Sequence, residues 1–401
     1  MKNIILFDSS DTRNHLLPLT YTRPIAELRI GILTIREKWE HWLEGTASHI
    51  TQDYLAEKYP INIADDNYII DGSILPNEAL CHLINDLEYN QALLHEGELV
   101  AARLDDIHLE RLGEMDAKDF NGVEVGVKFT QISRVWHIFQ HNHAELRLDF
   151  QQLTNGRLSQ MLSKSNQVIG NSSNIFLEEG AKVECAILNV KDAPIYIGKN
   201  AEIMEGAMIR GGLALCENAQ VKMGAKLYGA NTVGPNCKVG GEVGNSVLLA
   251  NSSKGHDGYL GNSVLGEWCN LGADTNTSNL KNTYEEVKLW SYVEQRFAKT
   301  GQQFLGLVMG DHSKAGINSM FNTGTVVGVA TNVFGTGFPR NFIPSFAWGG
   351  HEGLISHRYE QAIKTATIVA ARRNINLSDI DKSILQHIFD ATKAERTWEK
   401  N

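Results

Sequence analysis

Apolar and polar positions fall into three regimes along the 401 residues. In the first, the run NIILF at 3–7 predicts a short buried strand, a polar turn DSSDTRNHL follows, and LTIREKWEHWLE has helical spacing. Alternation bounded by turn residues predicts further strands at 68–70 and along ALLHEGELVAARL, where Gly97 predicts a hairpin. Strands interleaved with helices imply an α/β layer. Helical spacing returns over 135–162.

In the second regime the period becomes six. From Ile197 the chain reads IGKNAE, IMEGAM, IRGGLA, LCENAQ, VKMGAK, LYGANT, VGPNCK, VGGEVG, each hexapeptide opening on Ile, Leu or Val. If about a quarter of residues are of these types, eight in phase arise by chance about once in 10⁵ trials. A small residue holds the fifth position in most copies (Ala201, Ala207, Ala219, Ala225, Cys237), and Gly recurs at the second or fourth. Six fits neither a helix nor simple alternation, but it suits a coil that turns a corner every six residues. Three such faces close one coil. Coils stacked about 4.8 Å apart would line up the first positions as an internal ladder.

The repeat opens at VIGNSSNIFLEEGA, near residue 168, and its phase slips after Gly244. It recovers at LGEWCN and LGADTN, which places a loop at NSSKGHDG, and a longer excursion over 278–303 precedes the last coils. Loops that interrupt a solenoid are where function is usually grafted. In the third regime, after FPRNFIPSFAWGG, the chain is helical: Ser356 is positioned to start one helix ending in Arg372 and Arg373, and Ser378 with Asp381 forms a capping-box pattern for the next.

Composition narrows the functions available. The net charge of −10 argues against a general nucleic-acid or anionic-membrane surface, so any phosphate site must be local. Five scattered Cys without a CxxC pair read as reduced, mostly core residues. An apolar run of only four residues at the start is too short for a signal peptide, and a cytoplasmic protein is expected. The helical cluster HIFQHNH (His137, His141, His143) has i, i+4 spacing without an acidic or Cys partner and reads as a solvated face.

The hexapeptides resemble those of the hexapeptide-repeat transferases, which implies a left-handed parallel β-helix and a homotrimer. The segment SSKGHDGYLGNSVLGEWCNLGADTNTSNLKN is similar, over about 24 residues, to the acetyltransferase segment of the bifunctional N-acetylglucosamine-1-phosphate uridyltransferase/glucosamine-1-phosphate acetyltransferase family. The resemblance implies that His256 is the general base, that Tyr259, Asn270 and Asn279 contact the sugar phosphate, and that the backbone of Ala273 contacts acetyl-CoA. The chemistry fits these types: amine attack on a thioester needs a proton acceptor active near neutral pH, and the oxyanion needs a donor that an N–H in the LGAD turn could supply. Taken alone, His256 reads as an ordinary loop histidine, and His312 in GDHSKAG is the competing base. One position departs from the family: its phosphate-binding lysine, twelve residues before the base, is Gly244 here, with Lys254, Lys226 and Arg210 as the candidate replacement cations.

LLPLTYTRPIAELRIG resembles the nucleotidyltransferase signature PLTxxxPK at Pro18, Leu19, Thr20 and Pro24. FDSSD stands where that family has a glycine-rich phosphate loop, and Ile25 replaces the lysine. Arg13, Arg23 and Arg29 are the candidate phosphate forks and Asp71 the candidate Mg²⁺ carboxylate. The expected organisation is a truncated nucleotidyltransferase-like α/β domain at 1–165, a β-helix at 166–352 and C-terminal helices at 353–401. The expected function is acetyl-CoA-dependent N-acetyltransfer to an amino-sugar phosphate coupled to nucleotidyl transfer from a nucleoside triphosphate to a sugar 1-phosphate. An acyltransferase with an inert first domain and a non-catalytic trimeric scaffold are the alternatives.

Overall fold

Ile4, Ile5 and Leu6 are buried because the strand Lys2–Phe7 lies inside a six-stranded sheet, flanked in parallel by Gly45–Ile50 and Asn67–Asp71. The computed structural model describes residues 1–110 and 121–399. Its contacts divide the chain into one unit of Met1–Leu16, Thr22–Leu28 and Leu33–Arg134 and a second of Leu17–Tyr21, Arg29–Ile32 and Val135–Asn401. Beyond Asn67–Asp71 the first unit's sheet continues with Glu98–Leu104 and Gln91–His95, the expected hairpin, and ends on Asn121–Glu124. Gly97 takes φ 84°, a conformation that costs glycine little. The helix Ile35–Leu43 starts on a capping box of Thr34 and Glu37.

The second unit is a parallel β-helix. Met208 pairs with Lys226, eighteen positions on, and Gln220 pairs with Lys238 at the same interval, so three hexapeptides close one coil. Ile197, Ile203, Ile209, Leu215, Val221, Leu227, Val233 and Val239 all belong to one buried cluster, the predicted ladder. Asn200, Asn218 and Asn236, the fourth residues of their hexapeptides, have φ between 54° and 58°. Asn and Gly at that position turn the corners because they tolerate left-handed backbone.

The slip starts earlier than the sequence suggests. VGGEVG is not a full face: Lys226 pairs with Glu242, only sixteen positions on, and Lys238 with Ser253, fifteen on. The shortened corner holds Gly240 and Gly241, and a Cβ on Gly241 would come within 2.8 Å of the His256 carbonyl oxygen. A glycine is required there because the loop of the next coil lies directly against it. The excursion is a hairpin, Lys288–Ser291 with Arg296–Lys299.

One further expectation is corrected. Ser356 does not start a helix; Gly353–Ser356 pairs antiparallel with Ala347–Gly350 and becomes the last strand of that sheet, covering the edge of Ala347–Gly350. The helix that follows is Tyr359–Ala371, and Ser378 with Asp381 does form a capping box on Asp379–Ala391. On the helix His137–Thr154 the histidine face is half-buried at His137 and His141 and exposed at His143, while the opposite face is buried. Asn142 is wholly buried, accepting from Gly31 N (2.7 Å) and Thr232 Oγ1 (2.9 Å) and donating to Ala230 O (3.1 Å), while Asp149 accepts from Ile32 N (2.7 Å).

Candidate active sites

His256 stands exposed on the loop between the strands Ser253–Lys254 and Tyr259–Gly261. The loop is held on three sides. From the coil before it, Gly241 packs against the His256 carbonyl. From the coil after it, Asp274 N donates to Asp257 O (3.1 Å), so the turn carrying Ala273 stacks on the turn carrying His256. From inside, Lys254 Nζ donates to His256 O (2.6 Å) and Asp257 O (3.2 Å). Lys254 occupies the ladder position of Val239, is 1% exposed, and burial pushes its ammonium down to about 8. As a replacement for the missing phosphate lysine it is therefore ruled out: its charge faces the inside of the coil.

Tyr259 and Asn279 meet. Asn279 Nδ2 donates to the Tyr259 hydroxyl (3.0 Å) and to Asn262 Oδ1 (2.8 Å). Tyr259 is hydrogen-bonded in turn to Tyr228, whose hydroxyl donates to Glu242 (2.6 Å). Glu242, Tyr228, Tyr259 and Asn279 thus form one polar row across successive coils. Asn270 stands on another sheet, exposed, paired between Ser253 and Lys314, and outside this row. Tyr228 also explains the departure at position 244: its ring lies 2.9 Å from where a Gly244 Cβ would be, so the ring fills the space a lysine stem would need. Lys226 lies 4.0 Å from Glu242, and Arg210 is exposed beside Tyr228. Tyr228 and Glu242 were missed from sequence because only coil stacking brings them to Tyr259.

The competing histidine sits elsewhere. His312 has φ 60° and stacks on Trp268 (6.1 Å, 8°), with its carbonyl accepting from Lys314 Nζ (3.2 Å). His137 and His141 meet edge to face at 5.7 Å. Among the described residues no group of three or more His, Cys, Asp and Glu could hold a metal, and no helix is long and apolar enough to cross a membrane.

In the first unit the chemistry gathers at the carboxyl ends of the parallel strands, where the chain leaves the central strand in opposite directions and open α/β sheets bind ligands. Asp71 ends one strand, opposite Phe7, and Asp8 follows the other. Asp71 accepts from Ser73 N (2.8 Å), Ser73 Oγ (2.7 Å) and Gln131 Nε2 (3.4 Å). Burial, with a further contribution from Asp8, raises its carboxyl to about 6. Asp8 accepts from Ile25 N (2.8 Å) and Thr51 Oγ1 (2.6 Å), and burial raises it too. Arg13 is buried, lies 3.8 Å from Asp8 and donates to the Tyr54 hydroxyl (2.6 Å). Arg23 is buried in the same unit, whereas Arg29 belongs to the second unit and donates to the Ile32 carbonyl. Asp8 went unrecognised because FDSSD reads as a missing glycine loop; the sign was an acid closing the first strand.

A mixed sheet with paired carboxylates at its strand ends and a parallel β-helix with a histidine loop make up the two units, and the sequence comparisons place them with transferases. Residues 4–158 match the sugar nucleotidyl transferase family. The chain is 36% identical over 87 residues to the bifunctional protein GlmU of Methanocaldococcus jannaschii, a match covering 22% of this chain and 21% of that one. It is 27% identical over 163 residues to a bifunctional sugar-1-phosphate nucleotidylyltransferase/acetyltransferase of Sulfurisphaera tokodaii, covering 36% and 40%. A GlmU protein of Methanococcus maripaludis is 25% identical over 208 residues, covering 52% and 44%. The matches span less than half the length of these relatives. The chain is thus similar to these bifunctional proteins, and its residues 4–158 to the sugar nucleotidyl transferase family.

Proposed function

We propose that the protein makes a sugar nucleotide in two steps, acetyl transfer from acetyl-CoA to an amino sugar in a left-handed β-helix and nucleotidyl transfer to a sugar 1-phosphate in the first domain. The division into 1–165, 166–352 and 353–401 belongs to this reading. The observation that carries it is the hydrogen bond of Asn279 to the Tyr259 hydroxyl, which unites two residues twenty positions apart beside a triply held His256 loop. In the acetyl step His256 takes a proton from the sugar ammonium. The amine nitrogen attacks the thioester carbonyl, the tetrahedral intermediate gives up its second N–H proton to solvent, and it collapses as the CoA thiolate leaves and takes the proton held on His256. The oxyanion donor is the Ala273 N–H: Gly272 N, Asp274 N and Thr275 N of the same turn are already bonded to Ala315, Asp257 and Gly272 carbonyls.

In the first domain an oxygen of the sugar 1-phosphate attacks the α-phosphate of the nucleoside triphosphate and pyrophosphate leaves. Asp8 and Asp71 fit a Mg²⁺ ion, since two buried carboxylates that repel each other are relieved by a divalent cation. Bound there, the ion would neutralise phosphate charge. Arg13 and Arg23 are the phosphate contacts of this domain, and Arg29 steadies the segment beside them in sequence.

The test is a paired assay with acetyl-CoA. Because Tyr228 fills the space at Gly244, glucosamine and glucosamine 1-phosphate should differ less than about tenfold in kcat/KM as acceptors, where a held phosphate contributes about 1.5 to 3 kcal/mol. Absence of acetyl transfer to any amino sugar would leave the scaffold reading. A separate expectation is a homotrimer, since a prism of flat faces offers sides for cyclic association. Light scattering of the active protein should give three times 44.5 kDa, and an active monomer would exclude it.

A further inference from the structure

The late coils hold a cavity that shares no residue with either site above. It measures about 820 Å³, within the range of small-molecule pockets, and is bounded by the 288–299 hairpin, the strand Phe342–Ile343 and the turn Lys393–Glu395. Its wall is aromatic. Trp290 stacks face to face on Phe342 (4.2 Å, 8°), and Phe297 meets Trp290 edge-on (5.5 Å, 76°).

The polar groups on this wall are incomplete. Trp290 Nε1 and Glu395 Oε2 are buried and have no hydrogen-bond partner among the described residues. Native folds rarely leave such groups unmet without a functional reason. Burial raises the Glu395 carboxyl to about 7, so near neutrality it is available both as donor and as acceptor. At the rim stand Lys288 and Arg340, both exposed and neither ion-paired with a described residue. An aromatic wall, an unmet donor and an unmet acid on the same lining, and exposed cations not ion-paired with any described residue ask for a ligand with a flat ring, a hydrogen-bonding edge and an anionic tail.

We infer that this cavity binds a nucleoside phosphate, with the base against Trp290, Phe342 and Phe297, its edge on Trp290 Nε1 and Glu395, and its phosphates on Lys288 and Arg340. Base stacking on aromatic side chains and phosphate pairing with Lys and Arg are each sufficient for measurable binding. The site is additional to the triphosphate and CoA sites of the proposed function.

The experiment uses the full chain with ADP as probe, read by titration calorimetry and tryptophan fluorescence. The charge reversal Lys288→Glu/Arg340→Glu, at two exposed positions, should weaken ADP about thirtyfold, and Phe297→Ala about fivefold. Adenosine and inorganic phosphate should each bind at least about tenfold more weakly than ADP, as expected when both parts contribute. Acetyl and nucleotidyl transfer by the charge-reversal variant should stay within about twofold of wild type, which separates this site from the proposed function. The inference is overturned if ADP does not bind, if ADP binds both proteins equally, or if inorganic phosphate binds as well as ADP. Loss of acetyl transfer in the variant would also overturn it, by assigning the cavity to the CoA site.

Discussion

His256→Ala is expected to lower kcat for acetyl transfer by about 10² to 10⁴ while leaving acetyl-CoA binding nearly unchanged, the usual cost of removing a positioned general base. The loop carrying His256 is anchored through its backbone, by Lys254 Nζ on two carbonyls and by Asp274 N on Asp257 O. None of those contacts uses the imidazole, so the substitution should remove the base without moving the loop. His312→Ala should leave kcat within about threefold, because its ring is packed on Trp268 in a different turn. Steady-state kinetics on both variants, with the pH dependence of wild type, check the assignment. If His256→Ala retains full turnover and His312→Ala does not, the base is His312.

The second large effect concerns stability. Lys254 has an ordinary value of 10.5 in the unfolded chain and about 8 when folded, because burial disfavours its charge. Between about pH 8 and 10.5 the unfolded chain therefore holds more protons than the folded one, and stability rises with pH across that window. Below pH 8 the full cost applies, about 3 kcal/mol for this shift. Lys254→Met removes this dependence. The stability of the variant relative to wild type should fall by about 2 to 3 kcal/mol between pH 7 and pH 10, as wild type recovers what burial costs it. Urea denaturation of both proteins at the two pH values measures it. Its sign at pH 7 also reports on the two carbonyls that lose their donor, each worth about 1 to 3 kcal/mol if left unmet. A difference independent of pH would mean that Lys254 stays protonated in the fold.

Much of this architecture was legible in the order of residues, because it repeats. A buried ladder needs an aliphatic side chain every six positions, and a corner needs Asn or Gly where φ is positive; both are local demands that leave a periodic trace at Ile197 through Val239 and at Asn200, Asn218 and Asn236. The first strand, the 91–104 hairpin and the Ser378 capping box were legible for the same reason: each depends on neighbours within a few residues. The tertiary structure alone decided what happens where the period breaks. Once a coil shortens to fifteen residues, the count no longer tells which side chains turn inward, and Lys254 takes a position that composition would give to Val or Leu. Stacking sets Tyr228 over Gly244 and against Tyr259, and strand pairing sets Asp8 near Asp71, over separations no local pattern encodes. Ser356 was misread because a cap signal and a closing strand use the same residue, and the choice rests on whether an unpaired sheet edge lies beside it.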